Sequence, residues 1–513
     1  MENTPRSRWV RWPAFILIAL IGLGVRLPQL GARPMHTDEA INAYIVGQVL
    51  GGESFKYDPQ DRHGPALAAI AFPLARIQGA KSFANLTESE LRLTSVVAGT
   101  IAILLFGAAA EMFGFVPSLI AALLFAMGPL PVYYDRYFIH ESLFCAATFG
   151  LILSGSSAGR TRLARSAMVA GACAALMLAC KETAILNGSA MAAAALVFWL
   201  WNRPVPAASN GSDPDRSSKR RTERTERRLR SQRLAWGAAV LTFLVVTVLL
   251  FTWFGKNANG LGGLVRAVPD VLVRAGGQGH EKPFWYYGQL LAGGWSGAPL
   301  GALACLGILV TIRRRDASPW QWLAYYGVFI AAIYSLIPYK TPWLALNLWL
   351  PLALFAGKSI EAFWRWTAGN VHQRALIAVS CILTTVAAVL IAHDTRQRVF
   401  LHPADENNPY AYAHTTDDIL GLSAEIADLA RREGIANPRI AVIAADVWPL
   451  PWYLRHFQQV GFWQPGQQVA DADFFVTSTE AGAQYADRLR NFRPEFFGVR
   501  PGVLVLLWSP APK

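Results

Sequence analysis

The stretch Pro13-Ala-Phe-Ile-Leu-Ile-Ala-Leu-Ile-Gly-Leu-Gly-Val25 is followed, ten residues later, by Met35-His36-Thr37-Asp38-Glu39-Ala40. The first stretch is apolar and long enough to form the centre of a membrane-spanning helix, which needs about 20 mostly apolar residues. The second places an imidazole and two adjacent carboxylates just beyond that helix. Ionisable side chains so close to a membrane segment are candidates for a functional site. The chain therefore begins with a predicted transmembrane helix and a candidate polar site at one of its ends.

The composition predicts that most of the remaining chain also lies in a membrane. Of the 513 residues, 53% are hydrophobic and 16% are charged, against about 25% charged residues in a typical soluble domain. These values exclude a disordered chain and argue against a wholly soluble enzyme. A short run from Pro65 to Ile77 is predicted to be interfacial or re-entrant. About eleven longer runs predict transmembrane helices, at residues 13–30, 93–112, 117–134, 140–157, 166–180, 184–201, 235–254, 294–312, 319–337, 343–361 and 374–392.

The distribution of basic residues predicts how these helices are oriented. The net charge is +13, and cytoplasmic loops of membrane proteins collect Lys and Arg. With the N-terminus in the cytoplasm, the basic connections at 158–165, 202–234, 313–316 and 362–374 all fall on the cytoplasmic side. Residues 202–234 are predicted to be a solvated, largely disordered linker, with a DNA- or lipid-binding arm as the alternative. We therefore predict a multi-pass protein of the plasma (inner) membrane. Its predicted partner is the lipid bilayer, and no binding to nucleic acid is predicted.

The last part of the chain differs in composition and contains no spanning run. It alternates between helical and strand-like patterns, which is typical of a small α/β domain. The predicted elements are helices at 417–433 and 480–492 and strands at 439–445, 473–477 and 503–508. The predicted fold is thus an all-α polytopic membrane domain over residues 1–392, with a first outer loop at 31–92, followed by a small extramembrane α/β domain over residues 393–513 on the outer face.

Polar residues gather on the predicted outer face in clusters that are far apart in sequence but share one depth. Each cluster alone has an ordinary explanation, such as a solvated loop, a turn or an interfacial aromatic belt. Together they fit one chemistry: a carboxylate can act as a general base, Arg and Lys suit a phosphate, and aromatic rings suit the faces of a sugar. They predict a site that takes a sugar from a lipid phosphate. The clusters are Met35–Ala40, Tyr57–Pro65, Tyr133–Glu141, Cys180–Thr183 and Ile337–Trp343.

These motifs resemble those of the integral-membrane glycosyltransferases of the GT-C fold, which include the protein O-mannosyltransferases and the aminoarabinose transferases of lipid A. The resemblance is carried by His36-Thr-Asp38-Glu39-Ala, Tyr57-Asp-Pro59 and His63-Gly-Pro65. A closer resemblance is to a family named after an archaeal flippase-associated protein of N-glycosylation. That family has strings like Lys181-Glu-Thr183, Pro338-Tyr-Lys-Thr-Pro-Trp343 and Asn408-Pro-Tyr-Ala-Tyr-Ala-His-Thr415. The resemblance spans roughly residues 30–420.

The resemblance implies a hexosyl- or pentosyltransferase with a polyprenyl-phosphate sugar donor, a lipid, glycan or protein acceptor, and inversion at the sugar. In such enzymes an acidic residue of the first outer loop is the catalytic base; Asp38 matches it, with Glu39 as its partner. Glu141 stands where the family more often has Asp. The further implied roles are binding of the donor phosphate by Arg136, Lys181 and Lys340, and substrate binding by His36, Tyr57, His63, Glu141, Glu182, Tyr339 and Trp343.

Two questions stay open at this level. Some relatives bind a divalent cation and others need none, so the resemblance leaves open a Mg²⁺ or Mn²⁺ ion held by Asp38, Glu39 and Glu141. The competing interpretation of the whole chain is a non-catalytic accessory or scaffold for flipping a lipid-linked glycan, with the same fold. Such a scaffold would tolerate Asp38→Asn but would still need the basic residues.

Overall fold

We describe the fold from a computed structural model, which covers residues 11–60, 62–161, 163–203, 217–277, 279–314, 318–369 and 373–511. The chain up to residue 395 is helical. Its helices are α1 Trp12–Arg26, α2 Thr37–Leu50, α3 Ala66–Ile77, α4 Glu88–Phe113, α5 Phe115–Met127, α6 Pro129–Tyr134, α7 Glu141–Thr161, α8 Ala164–Cys180, α9 Ala184–Trp201, α10 Ser217–Phe251, α11 Gly260–Ala275, α12 Tyr286–Ala292, α13 Gly294–Arg313, α14 Pro319–Leu336, α15 Ala345–Ala368 and α16 Gln373–Thr395.

The helices confirm the predicted class of polytopic membrane protein. The predicted apolar runs fall on helices, although the run 117–134 is divided at Gly128 between α5 and α6. Within the described ranges seven helices are long and apolar enough to cross a bilayer. Four further apolar helices, among them α1 and α8, are shorter. The number of about eleven spans stays a prediction. On α16 the side chains of Val379, Ile382 and Val386 are exposed, as expected of a helix that faces lipid.

The basic segment at 202–234 differs from the prediction. Helix α10 begins at Ser217 and continues to Phe251, so the expectation of a largely disordered linker is wrong for residues 217–234. Lys, Arg and Glu all have high helix propensity, and the apolar half of α10 extends the helix into the basic half. Residues 204–216 lie outside the described part of the chain.

The predicted C-terminal α/β domain is present and contains a five-stranded sheet. Strand order is β2-β1-β3-β5-β4, with β1 parallel to β2 and β3, and β5 antiparallel to β3 and β4. Its elements are α17 Leu422–Arg432, β1 Arg439–Ile443, α18 Leu450–Tyr453, β2 Gln459–Trp463, β3 Phe474–Ser478, α19 Thr479–Gln484, β4 Phe492–Arg500 and β5 Val503–Pro510.

The prediction for this domain is correct for three strands and the first helix, and wrong elsewhere. The predicted helix at 480–492 shortens to α19, and β2 and β4 are strands that the sequence pattern does not show. Both are the outer strands of the sheet. The polar face and Pro494 of β4 are tolerated only because an edge strand leaves one row of N–H groups unpaired.

One continuous apolar core joins the first outer loop to the C-terminal domain. Buried Val46 of α2 and Leu67 of α3 belong to the same hydrophobic cluster as Val442 of β1 and Trp452 of α18. The indole N–H of Trp452 also donates a hydrogen bond to Glu88 at 2.8 Å. The sheet domain is therefore packed against the helices that carry the Asp38-Glu39 motif.

Candidate active site

The His36–Glu39 motif forms the beginning of helix α2. His36 is the N-cap residue, and its Nδ1 accepts a hydrogen bond from the backbone N–H of Asp38 at 3.0 Å. The Glu39 carboxylate in turn accepts from the backbone N–H of His36 at 3.2 Å. This reciprocal arrangement is a capping box, which fixes the first turn of a helix. The side chain of Asp38 is thereby presented from a rigid position.

Glu39 is a fully buried carboxylate with every acceptor direction in use. Its exposed fraction is 0%, and the Arg92 guanidinium donates to both of its oxygens at 2.8 Å. The backbone N–H of Phe138 donates to it at 2.8 Å as well. Burial alone would raise the pKa of Glu39, but Arg92 and Arg33 lower it to about 2. Glu39 is thus a permanent anion that joins α2 to α4 and to the loop before α7.

Asp38 differs from Glu39 in both its burial and its pairing. Its side chain is half-buried, and across the described ranges no hydrogen bond or ion pair engages its carboxylate. Burial, and then the neighbouring Tyr339, Glu281 and Asp38 groups, raise the pKa of Tyr412. The Asp38 carboxylate therefore lies close to Tyr412 and is available to a proton donor that enters the site.

The segment after α16 holds this helix start in place. The backbone oxygen of Tyr412 lies 3.0 Å from Nε2 of His36, and Thr415 Oγ1 donates to the backbone oxygen of Met35 at 2.7 Å. From the sheet domain, the Tyr453 hydroxyl accepts from the N–H of Met35 at 2.8 Å. Since Nδ1 of His36 is an acceptor, Nε2 carries the proton, and burial lowers the pKa of this imidazole. His36 is a neutral positioning residue.

Thr415→Val is expected to loosen this helix start. The substitution keeps the shape of the side chain but leaves the Met35 carbonyl without its buried donor, a loss of about 1–3 kcal/mol. Amide hydrogen exchange of residues 35–40 should become faster. Thr416→Val is the matched control, because the Thr416 hydroxyl donates to Gly498 of β4 instead. Equal exchange rates at residues 35–40 in both variants would contradict the role given to Thr415.

Aromatic rings form a wall beside Asp38. The ring of His36 lies 6.1 Å from that of Trp343 and 5.2 Å from that of His414, and Tyr412 lies 5.9 Å from Trp343. Burial, together with His36 and Arg33, holds the pKa of His414 well below its usual value. The wall is therefore uncharged and suited to the apolar face of a sugar ring.

Lys181 lies next to this wall. Its Nζ donates to Glu141 at 2.6 Å and lies 5.8 Å from the centre of the Trp343 ring. Burial opposes the charge of Lys181, but the Glu141 carboxylate, then Tyr339 and Asp38, raise its pKa. The ammonium group, 12% exposed, is a stable cation at the edge of the site.

The next residue, Glu182, faces the other way and joins two residues of the first outer loop. Tyr57 donates its hydroxyl proton to Glu182 Oε1 at 2.8 Å, and His63 Nδ1 lies 2.9 Å from Oε2. A Cβ added at Gly64 would lie 2.2 Å from the carbonyl oxygen of Ala179. Only glycine allows the His63 loop to approach the end of α8 so closely.

Arg136 and Lys340, the other predicted phosphate ligands, are directed at backbone oxygens. Arg136 donates to the carbonyls of Arg26, Pro28 and Gln29, and burial, followed by three neighbouring arginines, lowers its pKa to about 9. Lys340, which is 1% exposed, donates to the carbonyls of Ile337 and Lys282. Both cations hold loops around the site in the arrangement described here.

Several residues of the site are missed by sequence reasoning. Arg92 is the last residue of the predicted first outer loop, just before a predicted transmembrane run, and carries no motif. His280 lies in a Gly-rich stretch, yet its Nδ1 is 2.5 Å from the Tyr412 hydroxyl, and its backbone oxygen accepts from Lys340 at 3.1 Å. The ring of His280 packs at 4.7 Å against that of Tyr339, a residue that the sequence does predict for the site. Only the string Asn408–Thr415 gave a signal, for Tyr412 and His414.

The donor set does not fit a divalent cation. Both oxygens of Glu39 are held by Arg92, and Glu141 is paired with Lys181. Within the described ranges no group of three or more His, Cys, Asp or Glu side chains could hold a metal ion. We therefore derive no step through a metal.

Comparisons with known proteins identify the fold. A family model described as dolichyl-phosphate-mannose-protein mannosyltransferase matches residues 68–208. The crystal structure of ArnT from Cupriavidus metallidurans bound to undecaprenyl phosphate matches with a TM-score of 0.61, at 14% identity, over 96% of this chain and 97% of that one. The chain has the GT-C fold. A second match is AglB from Archaeoglobus fulgidus, an archaeal oligosaccharyltransferase solved in complex with an inhibitory peptide and a dolichol-phosphate. The TM-score is 0.55, at 12% identity, over 98% of this chain and 74% of that one.

The predicted GT-C fold is thus confirmed, and at these identities the likeness concerns the fold. No curated protein sequence matches the chain. Within this GT-C chain, the contacts above bring the residues around Asp38 together with Trp343, Lys181 and Tyr339, and place the Tyr57–Glu182–His63 group next to Lys181. Arg136 lies on the far side of Glu39, against Phe400.

Proposed function

We propose that the protein is a membrane glycosyltransferase that moves a sugar from a polyprenyl-phosphate donor to an acceptor, with inversion and with Asp38 as the general base. One observation carries the proposal. Among the clustered acidic residues, Glu39, Glu141 and Glu182 are buried and paired, whereas the Asp38 carboxylate is accessible and unpaired within the described structure. A group placed to accept a proton is what this reaction requires.

The proposed mechanism uses the groups around Asp38. Asp38 removes a proton from an acceptor hydroxyl or amide while the acceptor attacks the anomeric carbon. The bond from that carbon to the phosphate oxygen breaks on the opposite side, which inverts the configuration. Lys181 stabilises the negative charge that develops on the phosphate. The rings of Trp343 and Tyr412 orient the sugar, and Glu39, Arg136 and Lys340 hold the loops that carry these groups.

The nature of the donor is supported by the structural neighbours. ArnT was crystallised with undecaprenyl phosphate, and AglB was solved with a dolichol-phosphate. A prenyl chain fits a site that lies at the ends of apolar helices. We assign the reaction to the outer face of the plasma membrane, with the N-terminus in the cytoplasm and the sheet domain outside.

A second candidate function is a scaffold or flippase accessory that binds the lipid-linked glycan without chemistry. The pairing of Glu39, Glu141 and Glu182 favours it, since three of the four carboxylates then have a structural role. Protein in nanodiscs, incubated with a labelled polyprenyl-phosphate hexose and membrane extract, separates the two. A transferase moves the label off the donor lipid, and a scaffold leaves it there.

The phosphate role of Lys181 makes a separate prediction. Removing Lys181 alone would leave Glu141 as an unpaired buried charge, so the informative variant is Lys181→Met combined with Glu141→Gln. Loss of one charged hydrogen bond, about 1.5–3 kcal/mol, should weaken binding of polyprenyl phosphate roughly 10- to 100-fold. Lys56→Met, at an exposed lysine of the first outer loop, is the control. An unchanged Kd would assign the phosphate to other residues.

A further inference from the structure

The Tyr57–Glu182–His63 group has the arrangement of a proton-transfer site. Glu182 is buried. Burial alone would raise its pKa, but His63 and Tyr57 lower it to about 2. It is therefore an anion, and Nδ1 of His63, 2.9 Å away, carries the shared proton. A carboxylate that holds Nδ1–H leaves Nε2 of the same ring to exchange protons. The His63 side chain is 33% exposed, and within the described residues no hydrogen bond or ion pair engages its Nε2.

His63 also faces helix α2 across a small cavity. With Asn42 and His140 it lines a cavity of about 10 Å³, which is the size of a single water molecule. Asn42 is four residues after Asp38, so both side chains lie on the same face of α2, one turn apart. His63 therefore lines a cavity whose Asn42 side lies one helical turn from the proposed base.

His140 connects His63 with Lys181. The rings of His63 and His140 are 5.3 Å apart, and Nε2 of His140 lies 3.3 Å from the backbone oxygen of Gly64. Burial, followed by the charges of His63 and Lys181, holds the pKa of His140 well below its usual value. His140 is a neutral, buried ring beside His63. Lys181, the proposed phosphate ligand, directly precedes Glu182, which places Lys181 and His63 on neighbouring parts of the site.

We propose that His63, oriented by Glu182 and Tyr57, is the acid that protonates the leaving phosphate. The proposal rests on the transferase function given above. As the bond from the anomeric carbon to the phosphate oxygen breaks, the electron pair stays on that oxygen, and the phosphate takes the proton from Nε2 of His63. The neutral imidazole then regains a proton from solvent through its exposed edge. Asp38 accepts the acceptor's proton in the same turnover, so protons balance.

The test is the pH dependence of the single-turnover rate constant. In the wild type the rate should fall on the alkaline side as His63 loses its proton. Glu182→Gln removes the anion that stabilises the imidazolium and should move this fall to lower pH by about 1 unit. The other groups facing His63 are the Tyr57 hydroxyl, neutral His140 and cationic Lys181. The pKa of His140 is well below its usual value, and that of Lys181 is raised above its usual value. Neither group therefore accounts for the alkaline fall of the rate.

His63→Gln completes the experiment. It should lower the rate constant about 100-fold and abolish the alkaline fall, while the Kd for polyprenyl phosphate changes less than threefold. His402→Gln, at an exposed histidine outside the site, should match the wild type. An alkaline fall that stays in place in both variants overturns the proposal, as does a loss confined to Kd. A wild type that transfers no sugar overturns the transferase function itself.

Discussion

Asp38→Asn is expected to lower the rate of sugar transfer at least about 100-fold, because a positioned general base contributes about 10²–10⁴-fold. The amide has nearly the shape of the carboxylate but cannot accept the acceptor's proton. No described contact of the Asp38 carboxylate is lost, and its backbone N–H still donates to His36. Thermal stability and the Kd for polyprenyl phosphate should therefore stay close to the wild-type values.

The matched control for this variant is Glu53→Gln, which neutralises an exposed carboxylate just after α2. It should transfer sugar at the wild-type rate. The measurement is the initial rate of label transfer from donor lipid, with the folded fraction of each variant determined by size-exclusion chromatography. Wild-type turnover by Asp38→Asn would remove Asp38 from the role of base.

Arg92→Met removes the ion-pair partner of Glu39, the residue next to Asp38, and is expected to lower the stability of the folded protein. It leaves the 0%-exposed Glu39 carboxylate without its bidentate partner, and removing one member of a buried ion pair costs about 3–5 kcal/mol. We expect a markedly lower Tm in detergent and little folded protein. Arg365→Met is the control, because Arg365 forms an exposed ion pair with Glu361 within α15.

The double variant Arg92→Met, Glu39→Gln tests whether the loss comes from the buried charge. Neutralising Glu39 removes a buried anion whose remaining ion pair is the longer contact with Arg33 at 3.6 Å, so the double variant should recover part of the Tm. If Arg92→Met keeps the wild-type Tm, then Glu39 does not depend on Arg92 for its charge. That result would contradict the assignment of a reactive role to Asp38 and a structural role to Glu39.

The sequence predicts the helices and the acidic motif well because both are local signals. A run of apolar residues and a His-Thr-Asp-Glu string are recognisable without knowing what surrounds them. What the string does not contain is the partner of each carboxylate. Arg92 is 53 residues from Glu39 and belongs to no motif, so only the fold shows that Glu39 has an ion-pair partner and Asp38 does not.

Other differences have similar physical reasons. Strand β4 was not predicted because it lies at the edge of its sheet, where Pro494 and charged residues are allowed. The basic half of α10 was predicted as disordered from its charge, although the same residues favour a helix once an apolar helix precedes or follows them. The resemblance predicts that Arg136, a cation at the membrane boundary, binds phosphate, whereas in the fold its donors are directed at backbone carbonyls.

The most direct test of the proposed function is a donor labelled in two places, with ³H in the sugar and ³²P in the phosphate of a polyprenyl-phosphate hexose. Purified protein in nanodiscs is incubated with this donor and with membrane extract, and the two labels are followed separately. We predict that the ³H moves to the acceptor while the ³²P stays with the prenyl lipid, in the wild type and not in Asp38→Asn. If the two labels remain together while the protein binds the donor and a suitable acceptor is present, the protein is not a transferase.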